Sequence, residues 1–440
     1  MELQELLLAR EQRVIRQKEL LEQYGSTLIS FTMNIPGPVK NSPLISSGFM
    51  LGWKLLVAQF PPYLHREVST AKDTGCQGYL VVKEDAHTVK DICTRIEDST
   101  PMGRLFDFDV LTPTGEKLSR STPRPCLLCS EDARLCRRRG THSLTDLETE
   151  VHRLLQVGID EAYEADIGAY ALQSLLWEVC TTPKPGLVDC RNTGSHKDMD
   201  LFLFLNSSAA LAPYFTQCAR LGRMGRDKSR ETLLEELRFA GRQAEAKMLH
   251  ATRGVNTHKG AIFSLGLLCA AAGKLGRDAS PGELCREVAE LCKGLVDREL
   301  ARLPLEETRT KGQRLYCTHG ITGARGQAEK GYPTPLNIGL PVLKNGLELG
   351  YSIDRAGIAA LLAMLKEESD TCLISRSSPT RYSTLQDELE ILLNRDPYPP
   401  PEVLEALDDS FIQENLSPGG TADLLAVAYF LLGIHLRNGK

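Results

Sequence analysis

Net charge is the first thing this 440-residue chain has little of: 52 lysines and arginines stand against 57 aspartates and glutamates, a formal charge of −5. So close a balance removes any global electrostatic reason to bind nucleic acid and leaves only local basic patches for such a role. No apolar run reaches the roughly 18 residues of a membrane-spanning helix without a polar break. "AIFSLGLLCAAAG" is too short and reads as a buried core helix. No basic, apolar and small-residue leader opens the chain, which begins with the charged amphipathic "MELQELLLAREQRVIRQKELLEQYG". These absences predict a cytoplasmic protein that works with neither membrane nor nucleic acid. Its thirteen cysteines would stay reduced there and serve as small hydrophobes, ligands or nucleophiles.

What is present is a globular composition, 42% hydrophobic and 25% charged, on a chain long enough for two or three domains. Its character changes near residue 150. Before that point an amphipathic helix over residues 3–24 precedes "STLISFTMNIPGP", "CQGYLVVKED" and "GRLFDFDVLTPTGEKL". There β-branched and aromatic residues alternate with polar ones between prolines and glycines, and a period of two predicts strands. Beyond it, in stretches such as "DIGAYALQSLLWEV" and "SRETLLEELRFAGRQAEAKML", apolar residues recur every three or four positions, which predicts helices. The pattern predicts an α/β (α+β) domain over residues 1–150 and an all-α helical bundle over residues 155–440. "CTTPKPGLVDCRNTGSHKDMD" and "GARGQAEKGYPTPLNIGLP" read as long polar loops inside the helical half, where such loops carry function more often than not.

Four polar loops stand at the mouths of apolar helices. "TTPKPGLVDCRNTGSHKDMD" follows a helix ended by Pro183 and Pro185 and carries Lys184, Asp189, His196, Asp198 and Asp200. Capping of the helix that begins near Asp198 explains one carboxylate; the set can also hold Mg²⁺ or act as base and acid. "TRGVNTHKGAIFSLG" is not a Walker A loop: Lys259 precedes Gly260 instead of following it, alanine comes next, and no strand leads in. Asn256 and Thr257 are good N-caps, and His258 and Lys259 fall in the first turn. Free backbone N–H groups with two basic side chains make an anion site there; the alternative is a lysine snorkelling from an ordinary cap. "THGITGARGQAEKGYP" sets His319, Arg325, Glu329 and Lys330 among glycines, a setting for planar recognition of phosphate by arginine. "LSPGGTADLLAVAYFLLG" leads from Ser417 through Gly419 and Gly420 to Thr421 at an N-cap, with Asp423 in the first turn, where it serves either the helix dipole or a ligand. Together the loops predict one polyphosphate pocket at an end of the bundle.

In the N-terminal half, "GRLFDFDV" places Asp107 and Asp109 two apart on a strand, hence on one face, with Phe106 and Phe108 on the other. Two carboxylates on one face either flank Mg²⁺ with a nucleoside triphosphate, Arg104 meeting the leaving phosphates, or stand solvated at a sheet edge. "RPCLLCSEDARLCRRRGTH" gives Cys126, Cys129 and Cys136 with His142 after them. C-x₂-C is a zinc element when a second pair completes it, and this second half is no familiar knuckle. The alternative is reduced structural cysteines beside a basic run, Arg134 and Arg137 to Arg139, that suits an acidic partner or phosphates.

Carrying these motifs, the chain resembles two families fused end to end. Residues 1–150, through "NIPGPVKNS", "GRLFDFDV" and "RPCLLCSEDARLCRRRGTH", resemble the apo-citrate lyase phosphoribosyl-dephospho-CoA transferases (holo-citrate lyase synthases), with a nucleotidyltransferase-like domain. Residues 155–440, through "TTPKPGLVDCRNTGSHKDMD", "GVNTHKGAIFSLG", "GARGQAEKGYP" and "SPGGTADLLA", resemble the triphosphoribosyl-dephospho-CoA synthases. The resemblance implies that the helical domain joins ATP to 3′-dephospho-CoA: the 2′-hydroxyl attacks the anomeric carbon of ATP, adenine leaves and the triphosphate stays. Asp189, His196, Asp198 and Asp200 are then candidates for base and metal roles. Lys184, Asn256, Thr257, His258, Lys259, Arg325, Glu329, Ser417, Gly419, Gly420 and Asp423 are candidates for substrate binding. The N-terminal domain would pass the product to a serine of the citrate lyase acyl carrier (gamma) subunit and release diphosphate, with Asp107 and Asp109 on Mg²⁺ and Arg104 assisting; for the cysteine cluster the resemblance does not choose between zinc and reduced structural cysteines. Competing readings are another helical ATP- or ADP-ribose-processing enzyme, or a non-catalytic nucleotide-binding scaffold.

Overall fold

The structure is a computed structural model that describes residues 3–71, 73–301 and 311–438. The chain divides into two compact units, Met1–Ala162 and Tyr163–Lys440.

In the first unit α1 (Leu3–Tyr24) precedes β1 (Thr27–Met33), α2 (Pro43–Val57), β2 (His65–Ser69), β3 (Gln77–Val82), α3 (Ala86–Ser99), β4 (Phe106–Leu111) and β5 (Lys117–Leu118). The strands form one antiparallel sheet in the order β2-β3-β1-β4-β5. One face packs on α2 and α3 through Phe31, Phe49, Phe106 and Phe108, with the rings of Phe31 and Phe49 stacked 4.4 Å apart. The other face meets α1 through Leu20, Leu28, Tyr79, Val81 and Leu111. Alternation along β4 sends Phe106, Phe108 and Val110 into the aromatic core, so Asp107 and Asp109 share the α1 face with Leu111. After β5 come α4 (Ala133–Arg139) and the long α5 (Leu144–Cys180). Val151, Leu154 and Leu155 of α5 belong to the first core, and Tyr163, Ile167, Ala171 and Leu175 to the second.

The second unit is helical among its described residues: after the C-terminal part of α5 come α6 (Leu201–Met224), α7 (Arg230–Ala251), α8 (Lys259–Leu275) and α9 (Pro281–Cys292). Then follow α10 (Lys311–His319), α11 (Gly323–Glu329), α12 (Leu340–Glu348), α13 (Ile353–Glu367) and α14 (Thr371–Arg376). The last are α15 (Pro379–Arg395), α16 (Pro401–Gln413) and α17 (Gly419–Asn438). Two sequence expectations need correction. "GARGQAEKGYPTPLNIGLP" is not a loop but α11, a wide helical turn over Pro335–Gly339 and the start of α12. Its Ala328, Tyr332 and Leu340 are buried in the bundle core, and that burial overrides the low helix preference of its glycines and prolines. The segment Gly419–Arg437 is long and apolar enough to cross a membrane by length and composition. It lies inside the bundle, with Leu425, Val427, Phe430 and Leu431 wholly buried.

Helices α6 and α8 approach closely, and small residues set the spacing. A Cβ on Gly222 would lie 1.9 Å from the carbonyl oxygen of Ala270, and one on Gly273 would lie 1.8 Å from that of Ala219. Both obstacles are backbone, so neither can swing aside. Gly222→Ala is expected to destabilise the helical unit by about 1–3 kcal/mol, the range for forcing extra carbon into a packed core. Denaturant unfolding checks this, and an unchanged midpoint would contradict it.

Candidate active sites

In the helical unit, segments far apart in sequence surround one cavity of about 550 Å³. Its wall takes Lys184, His196 and Asp198 from the first polar segment, Asn256, Thr257, His258, Lys259 and Gly260 from the second, Arg325 from α11, and Ser417, Gly419, Gly420 and Asp423 from the fourth. Side chains crossing between segments hold them together. Buried Asp408 of α16 accepts from the Gly186 N–H at 2.9 Å and from Asn192 Nδ2 at 2.7 Å, and pairs with Arg191 at 2.6 Å. His196 Nε2 lies 2.8 Å from Ser417 Oγ, and Arg376 donates to His196 Nδ1 at 3.3 Å. With Nδ1 accepting from a guanidinium, Nε2 carries the proton and donates to Ser417. Burial and the neighbouring Arg376 hold this imidazole below its ordinary pKa.

The mouth of α8 differs from the anion site that its sequence predicts. His258 is itself the N-cap residue and makes no side-chain cap. Of the two expected caps, Asn256 Oδ1 accepts from the Lys259 N–H at 3.3 Å, while Thr257 donates away from the helix to Ser207 Oγ at 2.7 Å. Ser207 Oγ lies 2.7 Å from His258 Nδ1. With the Ser207 proton assigned to Nδ1, the ring proton stands on Nε2. That nitrogen is buried and has no hydrogen-bond partner. Burial, reinforced by the charge of Lys184, lowers the His258 pKa to about 3. His258 is therefore a neutral donor at the cavity wall and not a second cation. Lys259 is exposed and ion-paired with Glu245.

The group that occupies the mouth of α8 is an acid from α17. Asp423 reaches the N-terminus of α8, where the nearby Ala261 backbone favours its charged form, and a Cβ on Gly260 would lie 1.9 Å from Asp423 Oδ2. The glycine after Lys259 is there to admit this carboxylate. Asp423 stands beyond the first turn of its own helix, so its backbone partner is on α8. Thr421 is likewise inside α17 and not its N-cap: its N–H and hydroxyl donate to Asp370 Oδ2 at 2.6 and 2.8 Å. Asp370 Oδ1 caps α14 through the N–H groups of Cys372 and Leu373 at 2.8 and 2.9 Å. Burial raises Asp423 well above the usual carboxylate range, and the negative charges of Glu178 and Asp370 push it further. Burial also raises Glu368 and Asp370.

Sequence reasoning missed Glu178, Gln327, Glu368, Asp370 and Arg376, all in the cavity wall. Lys184 Nζ donates to Glu178 Oε1 at 2.5 Å and to the Glu178 carbonyl at 2.7 Å. Gln327 Nε2 donates to Thr334 Oγ1 at 2.8 Å and to Glu368 Oε2 at 2.5 Å, and its buried Oε1 has no partner. Other expected site residues lie elsewhere. Asp189 accepts from the backbone N–H groups of Lys184 and Arg191, each at 2.7 Å, and of Asn192 at 3.0 Å. It organises the loop and is absent from the wall. Asp200 caps α6 by accepting from the Leu203 N–H at 2.8 Å. Glu329 accepts from the Gly294 and Val296 N–H groups at 2.6 and 2.9 Å. Arg325 reaches the cavity but also binds Glu299 at 2.6 Å.

In the N-terminal unit a second cavity of about 570 Å³ opens between α1 and the sheet. Arg10, Arg13, Lys40 and Arg137 line it, and Asp107 is the acid among its described lining residues. Burial and the nearby charge of Asp109 raise the Asp107 carboxyl. Burial, Arg10 and Arg137 lower Lys40, as in a pocket crowded with positive charge. Asp109 does share the face of Asp107, yet it pairs with Lys117 at 2.6 Å and does not line the cavity. Arg104 is also outside the wall: its guanidinium donates to the carbonyls of Pro125, Cys126 and Leu127. The segment it holds brings Cys126, Cys129, Cys136 and His142 together as a group able to hold a metal ion.

A cation-rich pocket with one half-buried acid, and a helical cavity that mixes buried carboxylates, lysines and neutral donors, define a two-site protein that handles phosphorylated ligands. Residues 1–157 match the family described as apo-citrate lyase phosphoribosyl-dephospho-CoA transferase, and residues 164–439 match ATP:dephospho-CoA triphosphoribosyl transferase. The chain is 36% identical over 451 residues to protein CitXG of Haemophilus influenzae, an overlap of 98% of this chain and 96% of that one. It is 32% identical over 457 residues to protein CitXG of Leuconostoc mesenteroides subsp. cremoris, with the same coverage of 98% and 96%. A probable 2-(5″-triphosphoribosyl)-3′-dephosphocoenzyme-A synthase of Albidiferax ferrireducens shares 43% identity over 275 residues, 61% of this chain and 90% of that protein. The chain belongs to the CitXG family, in which these two enzyme domains are fused.

The buried imidazole gives a pH test. Unfolded His258 takes up a proton below about pH 6.5, whereas the folded ring stays neutral until about pH 3. The unfolded state therefore binds more protons in that window, and stability falls as pH falls through it. Replacing His258 by asparagine should remove on the order of 2 kcal/mol of the stability that the parent protein loses between pH 7 and pH 5. Denaturation at the two pH values measures it; equal losses in parent and variant would contradict a neutral, buried His258.

Proposed function

We propose that the helical unit builds the prosthetic group of citrate lyase and the N-terminal unit attaches it. In the first reaction the 2′-hydroxyl oxygen of 3′-dephospho-CoA bonds to the anomeric carbon of ATP as the bond from that carbon to adenine breaks. The product is 2′-(5″-triphosphoribosyl)-3′-dephospho-CoA, and the hydroxyl loses a proton while adenine gains one. The observation that carries this reading is the buried, unpartnered Nε2 of His258, assigned the ring proton, in the same wall as Lys259, Arg325 and the buried acids. Such a neutral donor suits a departing nucleobase nitrogen, because it assists leaving without adding charge beside an oxocarbenium-like centre. Gln327 Oε1, its amide fixed by Thr334 and Glu368, suits the exocyclic amine of adenine. Asp198, exposed in the cavity wall, takes the hydroxyl proton. Lys259 and Arg325 hold the triphosphate in competition with Glu245 and Glu299, alongside Asn256, Ser417 and the side-chain-free Gly419 and Gly420.

For Mg²⁺ in this cavity the fitting residues are Asp423 and Glu178, whose mutual repulsion helps to raise Asp423 and would be relieved by a cation. Asp200, committed to its helix cap, leaves Asp198 without a partner ligand. Bound there, the ion would neutralise charge on the triphosphate, which is retained and not transferred.

In the second reaction a serine hydroxyl of the acyl carrier (gamma) subunit attacks the α-phosphorus. A new phosphorus–oxygen bond forms, the bond to diphosphate breaks, and the serine proton passes to water. Arg10, Arg13, Lys40 and Arg137 hold the phosphates. Asp107, raised by burial and by Asp109, is the ligand for Mg²⁺, which would align attacking and leaving oxygens. The exposed arginines 134, 138 and 139 on α4 suit an acidic carrier protein. Tethering the two sites keeps the intermediate at high local concentration. Thirteen free cysteines fit a cytoplasmic setting, and the activity calls for neither nucleic acid nor membrane.

Variants separate the two reactions. Asp198→Asn should slow adenine release by roughly 10²–10⁴-fold, the range for losing a positioned acid–base group, and Asp423→Asn should slow it by weakening Mg²⁺ binding. Attachment of pre-made triphosphoribosyl-dephospho-CoA should continue in both. Asp107→Asn should stop modification of the carrier subunit and leave adenine release intact. Chromatography of adenine and intact mass of the carrier follow each activity, and joint loss of both in any of these variants would overturn the two-site reading.

A further inference from the structure

We propose that Cys126, Cys129, Cys136 and His142 form a closed zinc site that builds one wall of the N-terminal cavity. Their sequence spacing is unfamiliar, and the local fold supplies what the spacing lacks. From Arg124 to Ala133 the chain doubles back. Cys126 N–H donates to the Glu131 carbonyl at 2.7 Å, Ala133 N–H to the Arg124 carbonyl at 3.0 Å, and Pro125 pairs with Asp132 as an isolated bridge. This hairpin turns Cys126 and Cys129 toward one point. Asp132 then caps α4 by accepting from the Arg134 N–H at 2.7 Å, which sets Cys136 on the helix opposite them. Gly140, with φ of 60°, ends α4 in the left-handed region, and Thr141 N–H donates back to the Cys136 carbonyl at 3.2 Å. That reversal returns His142 to the cysteines.

The resulting distances are those of a tetrahedral site. Zinc–sulfur bonds of ~2.3 Å and zinc–nitrogen bonds of ~2.0 Å at tetrahedral angles put neighbouring ligand atoms roughly 3.5–3.8 Å apart. Cys129 Sγ lies 3.4 Å from Cys136 Sγ and 3.3 Å from His142 Nε2. All four ligand atoms lie within 4.8 Å of one another. None of the three cysteines is in a disulfide, and Cys126 and Cys136 are only 5% and 7% exposed. Three thiolates and a neutral imidazole around a dication carry one net negative charge. The arginines of α4, at 134, 137, 138 and 139, together with Arg104 on the hairpin carbonyls, provide the balancing field.

Four protein ligands leave no coordination position for substrate, so the zinc is structural. Its task is local: Cys126, Cys136 and His142 share the cavity wall with Arg137 and Asp107. Metal binding thus fixes the helix that presents Arg137 to the pocket.

Elemental analysis of the full-length protein, expressed with zinc supplied, should find about one zinc ion per chain. Cys129→Ser should lower that content at least severalfold, while Cys180→Ser, outside the cluster, should leave it unchanged. If Cys129→Ser fails to fold, cobalt exchanged into the parent protein gives the second readout. Visible bands of tetrahedral Co²⁺ and a sulfur-to-cobalt charge-transfer band are expected. Zinc below about a tenth of an ion per chain with no such cobalt spectrum, or zinc content unmoved by Cys129→Ser, would overturn the site.

Discussion

The helical unit is organised around one carboxylate. Asp423 leaves α17 and lodges against Gly260 at the N-terminus of α8, beside the Ala261 backbone that favours its charged form. Withdrawing an acid from water is costly unless dipoles or charges answer it. The open end of α8 supplies the dipole, the missing Cβ of Gly260 supplies the space, and Asp370 holds the start of α17 in place. The close approach of α6 and α8 through Gly222 and Gly273 brings Ser207 within reach of His258. From that contact follow the neutral imidazole and the mixed acid–base wall. The conflict left among Asp423, Glu178 and Asp370 is a local instability that stability alone would have removed, and such conflicts gather where chemistry is done.

The N-terminal unit reaches a related result by other means. Strand parity sorts Phe106 and Phe108 into an aromatic core and Asp107 onto the α1 face, where arginines and a lysine surround it. In both units a half-buried acid is raised by desolvation and a neighbouring acid, in a cavity wall that also carries lysine and arginine. That combination suits a phosphorylated, metal-associated ligand better than either charge type alone.

Much of this was legible beforehand, for physical reasons. Period-two alternation announced the strands, and three- and four-residue spacing the helices. Residues from all four polar segments line one cavity, though Asp189, Asp200 and Glu329 of those segments do not. What the sequence does not reveal is which hydrogen bonds a carboxylate has already accepted. Asp189 and Asp423 look alike on paper; the first is satisfied by three backbone N–H groups and the second faces other acids. Glu178 and Gln327 read as ordinary helix residues, and Asp370 as an ordinary cap. The glycine-rich run at Gly323 becomes helical because Tyr332 and its neighbours are buried, a tertiary effect that no local propensity contains. The neutrality of His258 likewise comes from burial, which a basic-looking "THKG" conceals.

The central claim is that the helical unit holds the phosphates of ATP while the bond to the base breaks. The most direct test is the fate of doubly labelled ATP, carrying one label in the γ-phosphate and another in the adenine ring, incubated with the protein and 3′-dephospho-CoA. Phosphate label should appear in the dephospho-CoA adduct and base label in free adenine, in equal amounts. Phosphate label in free phosphate or diphosphate, with the base still bound to ribose, would contradict the account.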